Sequence, residues 1–324
     1  SYVDPNYGTG AVKITPAHDP NDFEVGERHG LEKRRIIGFD GKMTNVPGEF
    51  TGLTPEEARK RTLIALKSEQ LLRGEKPIVH TVGYDYKSDK PIQPLLKEQW
   101  FIHTKPLAEK AIRALENNEI KMIPTSKKRV AIQYLKELKD WNISRQIPWG
   151  IPIPAFQNVD DPTDWIFNRN VDEKTILVNG KAYRRDEDTF DTWFSSGQWP
   201  FITTEALNEN SDLSRFFPVD LMETGTDLLD RWIARMIRLS LYATGKVPFK
   251  DVYLHGMVLD EHSQKMSKSK GNVINPMELV AEYGSDALRL GLIASRSPGQ
   301  NQAFSVYRVI AGRNFCNKLW NIAR

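Results

Sequence analysis

Residues 265–272, Lys-Met-Ser-Lys-Ser-Lys-Gly-Asn, place three lysines in six residues, interleaved with hydroxyls and ended by a glycine hinge. The segment lies between a strand-like run and a helix start, and it is too charged and too flexible to form a core. The rest of the chain must supply a floor for it. Lysines and hydroxyls in this order can wrap a polyphosphate and add positive charge as negative charge moves onto a leaving group. Composition alone also fits a solvated lysine loop, which is the commoner fate of a lysine- and serine-rich segment.

The whole chain narrows the choice. Its 324 residues, 40% hydrophobic and 27% charged, suit a soluble protein of about two domains. No apolar run is long enough to span a bilayer and no basic stretch precedes an apolar leader, so a cytoplasmic location is expected. The single cysteine, Cys316, excludes an internal disulfide and a cysteine-based zinc cluster. Any metal should therefore accompany nucleotide phosphates. A net charge of +3 neither demands nor forbids RNA. Ser1 is not an initiator methionine, and Tyr2 to Gly10 reads like the middle of an element, as expected of an internal piece of a longer protein.

In chain order, the turn signals Asp4-Pro5-Asn6 and Gly8-Thr9-Gly10 lead into a short predicted strand, Ala11 to Thr15. The following loop carries His18, Asp19 and Asp22. Its carboxylates suit either a ligand amine or the N-terminus of a helix running Phe23 to His29, and by shape alone capping is the simpler reading. Thr54-Pro55-Glu56-Glu57 joins a capping box to a proline and opens a helix to about Leu72, ended by Gly74. The alternation Ile78, His80, Val82, Tyr84 predicts a β-rich stretch from Pro77 to Tyr86. Val130, Tyr134, Leu135, Leu138 and Trp141 share one helical face. The basic triplet Lys127, Lys128 and Arg129 before them reads as a solvated face. Gly225-Thr226-Asp227 opens a helix over Leu228 to Thr244, with Leu229, Trp232, Ile233, Met236 and Ile237 inward. Val252 to Val258 is an apolar strand interrupted by His255-Gly256, where a glycine lets a flat base approach the backbone. Asn275-Pro276 and Ser285-Asp286 cap two further helices, and Ser305 opens a last one.

The lysine loop is, without a mismatch, the signature loop of class I aminoacyl-tRNA synthetases, and its Lys-Gly-Asn extension resembles the valine, isoleucine and leucine branch. GTGAVKITPAHDPNDFEVG resembles the proofreading loop of valyl members. So do Asp191-Thr192-Trp193-Phe194-Ser195-Ser196, Gly225-Thr226-Asp227 and the closing RNFCNKLWN, all in the family's order. The resemblance implies an α/β fold: the second half of a doubly wound Rossmann-type catalytic domain over residues 87–300. Part of a β-rich editing domain would precede it over 1–86, and the start of a helical anticodon-binding domain would follow over 301–324. Residues 155–190 lack the cysteines of the zinc ribbon found in many relatives, so no zinc is expected.

What the resemblance implies for function is activation of valine by ATP with Mg2+, transfer to tRNA(Val) and hydrolysis of threonyl-tRNA, by a protein expected to be monomeric. Lys265 and Lys268 would stabilise charge on the phosphates. Gly225, Asp227, His255, Gly256 and Val258 would hold the adenosine, together with Lys268 on the phosphates. Trp193 and Trp232 would wall the valine side chain, although Trp232 read by itself is equally a core residue. In the editing pocket Asp22 would hold the α-amino group, while Lys13, Thr15 and Asp19 line the side-chain space. The family's His-Ile-Gly-His signature does not occur in the chain, so each active site is expected to be a half. An isoleucyl or leucyl relative, a non-catalytic RNA-binding remnant and a stand-alone proofreading hydrolase remain as alternatives.

Overall fold

Three helices of this chain start in one way, with a short polar side chain followed directly by proline. The side chain accepts a hydrogen bond from a free N–H of the first turn, and proline fills a position whose N–H would lack a partner anyway. Asp19 accepts from the Asn21 and Asp22 N–H groups to begin α1, Pro20–His29. Thr54 accepts from Glu57, whose carboxylate returns the bond, to begin α2, Pro55–Ser68. Asn275 accepts from Met277 at the third such start, far along the chain.

The computed structural model describes residues 4, 6, 10–85, 88–294 and 296–324. The chain divides into two units, Ser1–Glu98 and Gln99–Arg324. Pro5, Gly8, Thr9 and Tyr86, which entered the predicted turns and strand, lie outside the described residues. The first unit holds α1, α2 and loops joined by isolated bridges, Ile37 with Met43 and Tyr84 with Pro91. Ala11 to Thr15 forms no strand, because the Thr15 N–H is taken by the Asp22 carboxylate instead of a neighbouring strand. The stretch predicted as β-rich, Pro77 to Tyr86, forms no ladder among its described residues either. Ile78 and Val79 are 78% and 104% exposed, so the alternation faces solvent on both sides. The α2 helix stops at Ser68, four residues short of Leu72, and Gln70 rather than Gly74 takes the left-handed turn with φ +58°.

In the second unit β1 (Phe101–Ile102) precedes α3 (Lys105–Glu116), β2 (Lys121–Ile123) and α4 (Ser126–Lys136). The α4 helix begins earlier and ends earlier than its apolar pattern suggests. It takes in the basic triplet, while Trp141 sits in β3 (Trp141–Asn142), paired with Ile102. Then come β4 (Ser144–Arg145), β5 (Ala155–Asn158), β6 (Trp165–Phe167), β7 (Thr175–Val178), β8 (Lys181–Arg185) and β9 (Thr189–Phe190). Strands β6, β5, β8 and β7 form an antiparallel sheet in that order, within the cysteine-free residues 155–190. Short helices α5 (Thr192–Ser196) and α6 (Trp199–Thr203) lead to β10 (Val219–Gly225). The predicted helix from Leu228 has three parts: a 3-10 turn over Thr226–Leu228, a π-turn over Leu229–Ile233 and α7, Ala234–Ala243.

Strand β11 (Phe249–His255) then pairs in parallel with β10 on one side and β2 on the other. Leu115 of α3, Leu135 of α4, Ile233, and Met236 and Ile237 of α7 join Val252 and Leu254 of β11 in one buried cluster. This parallel sheet with packed helices is the α/β core that the sequence led us to expect. After β12 (Val258–Leu259) come α8 (Pro276–Tyr283), α9 (Ser285–Ile293), β13 (Gln302–Ala303), which pairs with β12, and α10 (Val306–Ala323). Helix α10 packs within the second unit. A Cβ on Gly312 would lie 2.6 Å from Ala287 O, and one on Gly291 would lie 3.0 Å from the Arg308 backbone. Small residues thus let α9 and α10 approach closely.

Candidate functional site

Parallel strands that end together leave a crevice beyond their C-terminal ends, where ligands of such sheets bind. Here Gly225, the last residue of β10, is in register with His255, the last of β11. The His255 imidazole meets the Glu223 carboxylate. Beside them a cleft of about 440 Å³ is lined by Glu223, Tyr253, His255, Gly256, Ile293 and Arg296. Arg296 donates to Gly256 O at 3.2 Å. Of the residues assigned to adenosine, His255 and Gly256 line this cleft, while Val258 starts β12 beyond it.

Glycine at 256 also meets a need within the chain itself. A Cβ there would lie 1.7 Å from Gln300 O, so the chain's own backbone occupies that space. The segment is tied down on both sides, by Gly299 N–H to Leu254 O at 2.8 Å and Gln302 N–H to Met257 O at 2.9 Å. Gly256→Ala is therefore expected to destabilise the second unit by about 1–3 kcal/mol, the usual cost of overpacking, measured by thermal unfolding. An unchanged melting temperature would refute the close approach.

The lysine loop stands over the same strand ends. Lys265 Nζ lies 3.8 Å from Asp227 Oδ2, which joins the loop to the Gly-Thr-Asp turn after β10. Lys268 opens a 3-10 turn, Lys268–Lys270, and is exposed. Gly271 follows at φ +66°, a left-handed conformation that suits glycine.

The two tryptophan motifs also meet. Trp232, on the π-turn, donates its indole N–H to Ser196 O at 3.1 Å, and Ser196 ends the helix that carries Trp193. π-turns inside helices are frequent at functional sites. Trp232 is partly buried and packs against the core cluster, as the core reading has it.

Beside these tryptophans lie further charged and aromatic side chains. The Arg235 guanidinium sits 4.3 Å from the Trp141 ring and 5.6 Å from the Trp193 ring, within cation–π range. Asp191 caps α5 and accepts from the Trp141 indole and the Arg145 guanidinium, both at 3.0 Å. Arg238 is 2% exposed, and burial pulls its guanidinium down to about 10. Two arginines three apart in a run as apolar as Ile233 to Leu241 were the available signal, because apolar helices do not bury such charge idly.

In the first unit all four residues assigned to editing come together around the start of α1. Asp22, 6% exposed, accepts from Thr15 N–H at 2.8 Å and from the Thr15 hydroxyl at 3.1 Å. Lys13 reaches Thr15 Oγ1 at 2.8 Å and lies 3.7 Å from Asp22. Asp19 is the N-cap of α1, so capping describes Asp19. The Thr15 N–H, outweighing burial, then its hydroxyl and Lys13, hold the Asp22 carboxyl below the ordinary carboxylate range. Among the described residues no group of three His, Cys, Asp or Glu side chains is placed to hold a metal. None of their helices is long and apolar enough to cross a membrane.

The sequence pattern of the tRNA synthetases class I (I, L, M and V) matches residues 21–305. The chain is 45% identical over 323 residues to the valine–tRNA ligase of Symbiobacterium thermophilum, covering 100% of this chain and 35% of that protein. It is 44% identical over 327 residues to that of Petrotoga mobilis, covering 100% and 37%. The chain thus spans little more than a third of the length of these relatives. Among solved structures, methionyl-tRNA synthetase of Mycobacterium tuberculosis bound by methionyl-adenylate superposes with a TM-score of 0.52 at 20% identity, over 74% of this chain and 41% of that one. At that identity the likeness concerns the fold.

Proposed function

Because the chain belongs to the class I tRNA synthetases, we propose that it carries the second half of a valine-activating site together with part of a proofreading site for threonyl-tRNA. In the proposed reaction a valine carboxylate oxygen attacks the α-phosphorus of ATP, pyrophosphate leaves, and the valyl group then passes to the terminal ribose of tRNA(Val). Mg2+ enters bound to ATP, as part of the substrate. The protein would work as a cytoplasmic monomer built on a doubly wound fold.

No side chain becomes the nucleophile in this reading, so rate comes from orientation and charge stabilisation. His255 and Gly256 would hold the base, and Gly225 with Asp227 the ribose. Lys265 and Lys268 would face the phosphates, and Trp193 and Trp232 would fix the width of the side-chain pocket. The observation that carries the reading is the ion pair between Lys265 and Asp227 at 3.8 Å, which sets the signature loop against the nucleotide-binding turn. Flat, rigid walls suit a branched aliphatic group, yet they cannot strongly reject threonine, an isostere of valine with a hydroxyl in place of one methyl. A second, hydrolytic site answers that need, and valine enzymes are the standard example of it.

Calorimetry with a non-hydrolysable valyl-adenylate analogue tests the proposal without requiring turnover. The valyl analogue is expected to bind, with the isoleucyl analogue weaker by about 10- to 200-fold and the threonyl analogue by about 100-fold. Absence of binding to a chain that unfolds cooperatively on heating would overturn the valine pocket in this unit.

A further inference from the structure

Asn272 closes the lysine loop on itself. Its side-chain oxygen accepts from Ser267 N–H at 2.9 Å, and its amide donates to Asp260 Oδ2 at 2.8 Å and to Lys265 O at 3.3 Å. Asp260 is 7% exposed, and its other oxygen accepts from the His262 and Gln264 N–H groups at 3.0 and 2.7 Å. These bonds, the Gln264 N–H foremost and the Asn272 amide next, hold its carboxyl below the ordinary range. A bridge between Leu259 and Lys265 completes the turn. Gly271 swings the chain back, so that the residue ending the loop lies beside the one that begins it.

The consequence concerns entropy. An open loop of exposed lysines must be ordered when a polyphosphate arrives, at a cost in backbone entropy for every residue fixed. A loop already ordered on folding binds without that loss. We propose that Asn272, anchored on Asp260, is a positioning residue that presets Lys265 and Lys268 for the polyphosphate of ATP. The role of the polyphosphate rests on the proposed function; the closed loop itself does not.

Two ligands separate the role from general damage. ATP·Mg2+ carries the β- and γ-phosphates that the lysines would meet, whereas the valyl-adenylate analogue lacks them. Asn272→Ala is expected to weaken ATP about tenfold and the analogue less than twofold, with faster amide hydrogen exchange over residues 265–267. Asn272→Asp should be worse for ATP, since it faces the Asp260 carboxylate with another. The exchanged pair Asp260→Asn with Asn272→Asp keeps a donor facing an acceptor and should recover most of the lost affinity, though not the bond to Lys265 O. Wild-type affinity for ATP in Asn272→Ala, equal losses for both ligands, or no recovery in the exchanged pair would each overturn the positioning role. A wild-type chain that binds neither ligand would overturn the nucleotide reading, and this role with it. A wild-type chain that binds both, beside an unaffected variant, overturns the positioning role alone.

Discussion

Lys268→Ala is expected to slow valyl-adenylate formation by about 10²- to 10³-fold, the usual effect of removing one preorganised group aimed at developing charge. Pyrophosphate becomes more negative as it leaves, so a lysine that meets it gains interaction between ground state and transition state, and only such gains raise the rate. The two lysines are not equivalent. Lys265 already has Asp227 at 3.8 Å, which offsets part of its charge. None of the ion pairs among the described residues includes Lys268, and its side chain stands exposed on the turn over Lys268–Lys270. Lys268 therefore keeps its full charge for the ligand, and the larger loss is expected there. Single-turnover adenylate formation, measured beside valine affinity, checks this: the rate should fall while valine binding stays within about twofold. Equal losses in both would remove the transition-state role.

What the sequence told us was mostly local. The capping box at Thr54 and the Asn275 cap could be read because each is decided within one helical turn. The parallel core was legible from the apolar strand around Val252 and the inward face of Ile233, Met236 and Ile237, both of which are buried as expected. Pro77 to Tyr86 failed for the opposite reason: an alternating pattern permits a strand, but a partner makes one, and its described residues form only the isolated bridge of Tyr84 with Pro91. The antiparallel sheet of β5 to β8 went unread although Asn179-Gly180 stood between Leu177 and Ala182. Both turn residues take positive φ, 51° and 77°, and Asn-Gly between apolar residues is the strongest short-range hairpin signal.

The candidate site divides in the same way. The signature words nominate Lys265, Lys268, Trp193 and Trp232, while the residues around them came only from the fold. Arg235 beneath Trp193, Glu223 against His255 and Asn272 across from Asp260 are each brought into place by chain crossings of 12 to 42 residues. No local pattern encodes such a meeting. The functional words are legible because chemistry fixes residue type, whereas their supports can be met by many arrangements of hydrogen bond and packing.

In the complete enzyme, Asp22→Ala is expected to abolish threonyl-tRNA hydrolysis while valine-dependent ATP–pyrophosphate exchange keeps its rate. In the proposed editing site this carboxylate holds the α-amino group, and truncating one partner of a buried charged pair costs about 2–5 kcal/mol, at least about thirtyfold in affinity. Asp22 also orders its own loop, because Thr15 donates to it from backbone and hydroxyl alike. Alanine would free residues 13–15 as well as remove the charge. Asp22→Asn separates the two effects: its amide oxygen can still accept from the Thr15 N–H, but it attracts an ammonium far less. Loss of hydrolysis in both variants assigns the effect to charge; loss in alanine alone assigns it to loop order; retained hydrolysis in both ends the editing assignment. The pH profile gives an independent reading. Because the Thr15 N–H, its hydroxyl and Lys13 depress the carboxyl in the folded chain, its stabilising contribution is fully present above the unfolded carboxyl value. It is lost only as pH falls through the lower folded value. Thermal stability of the first unit should therefore fall off on acidification below the ordinary carboxylate range, and that fall should be shallower in Asp22→Asn.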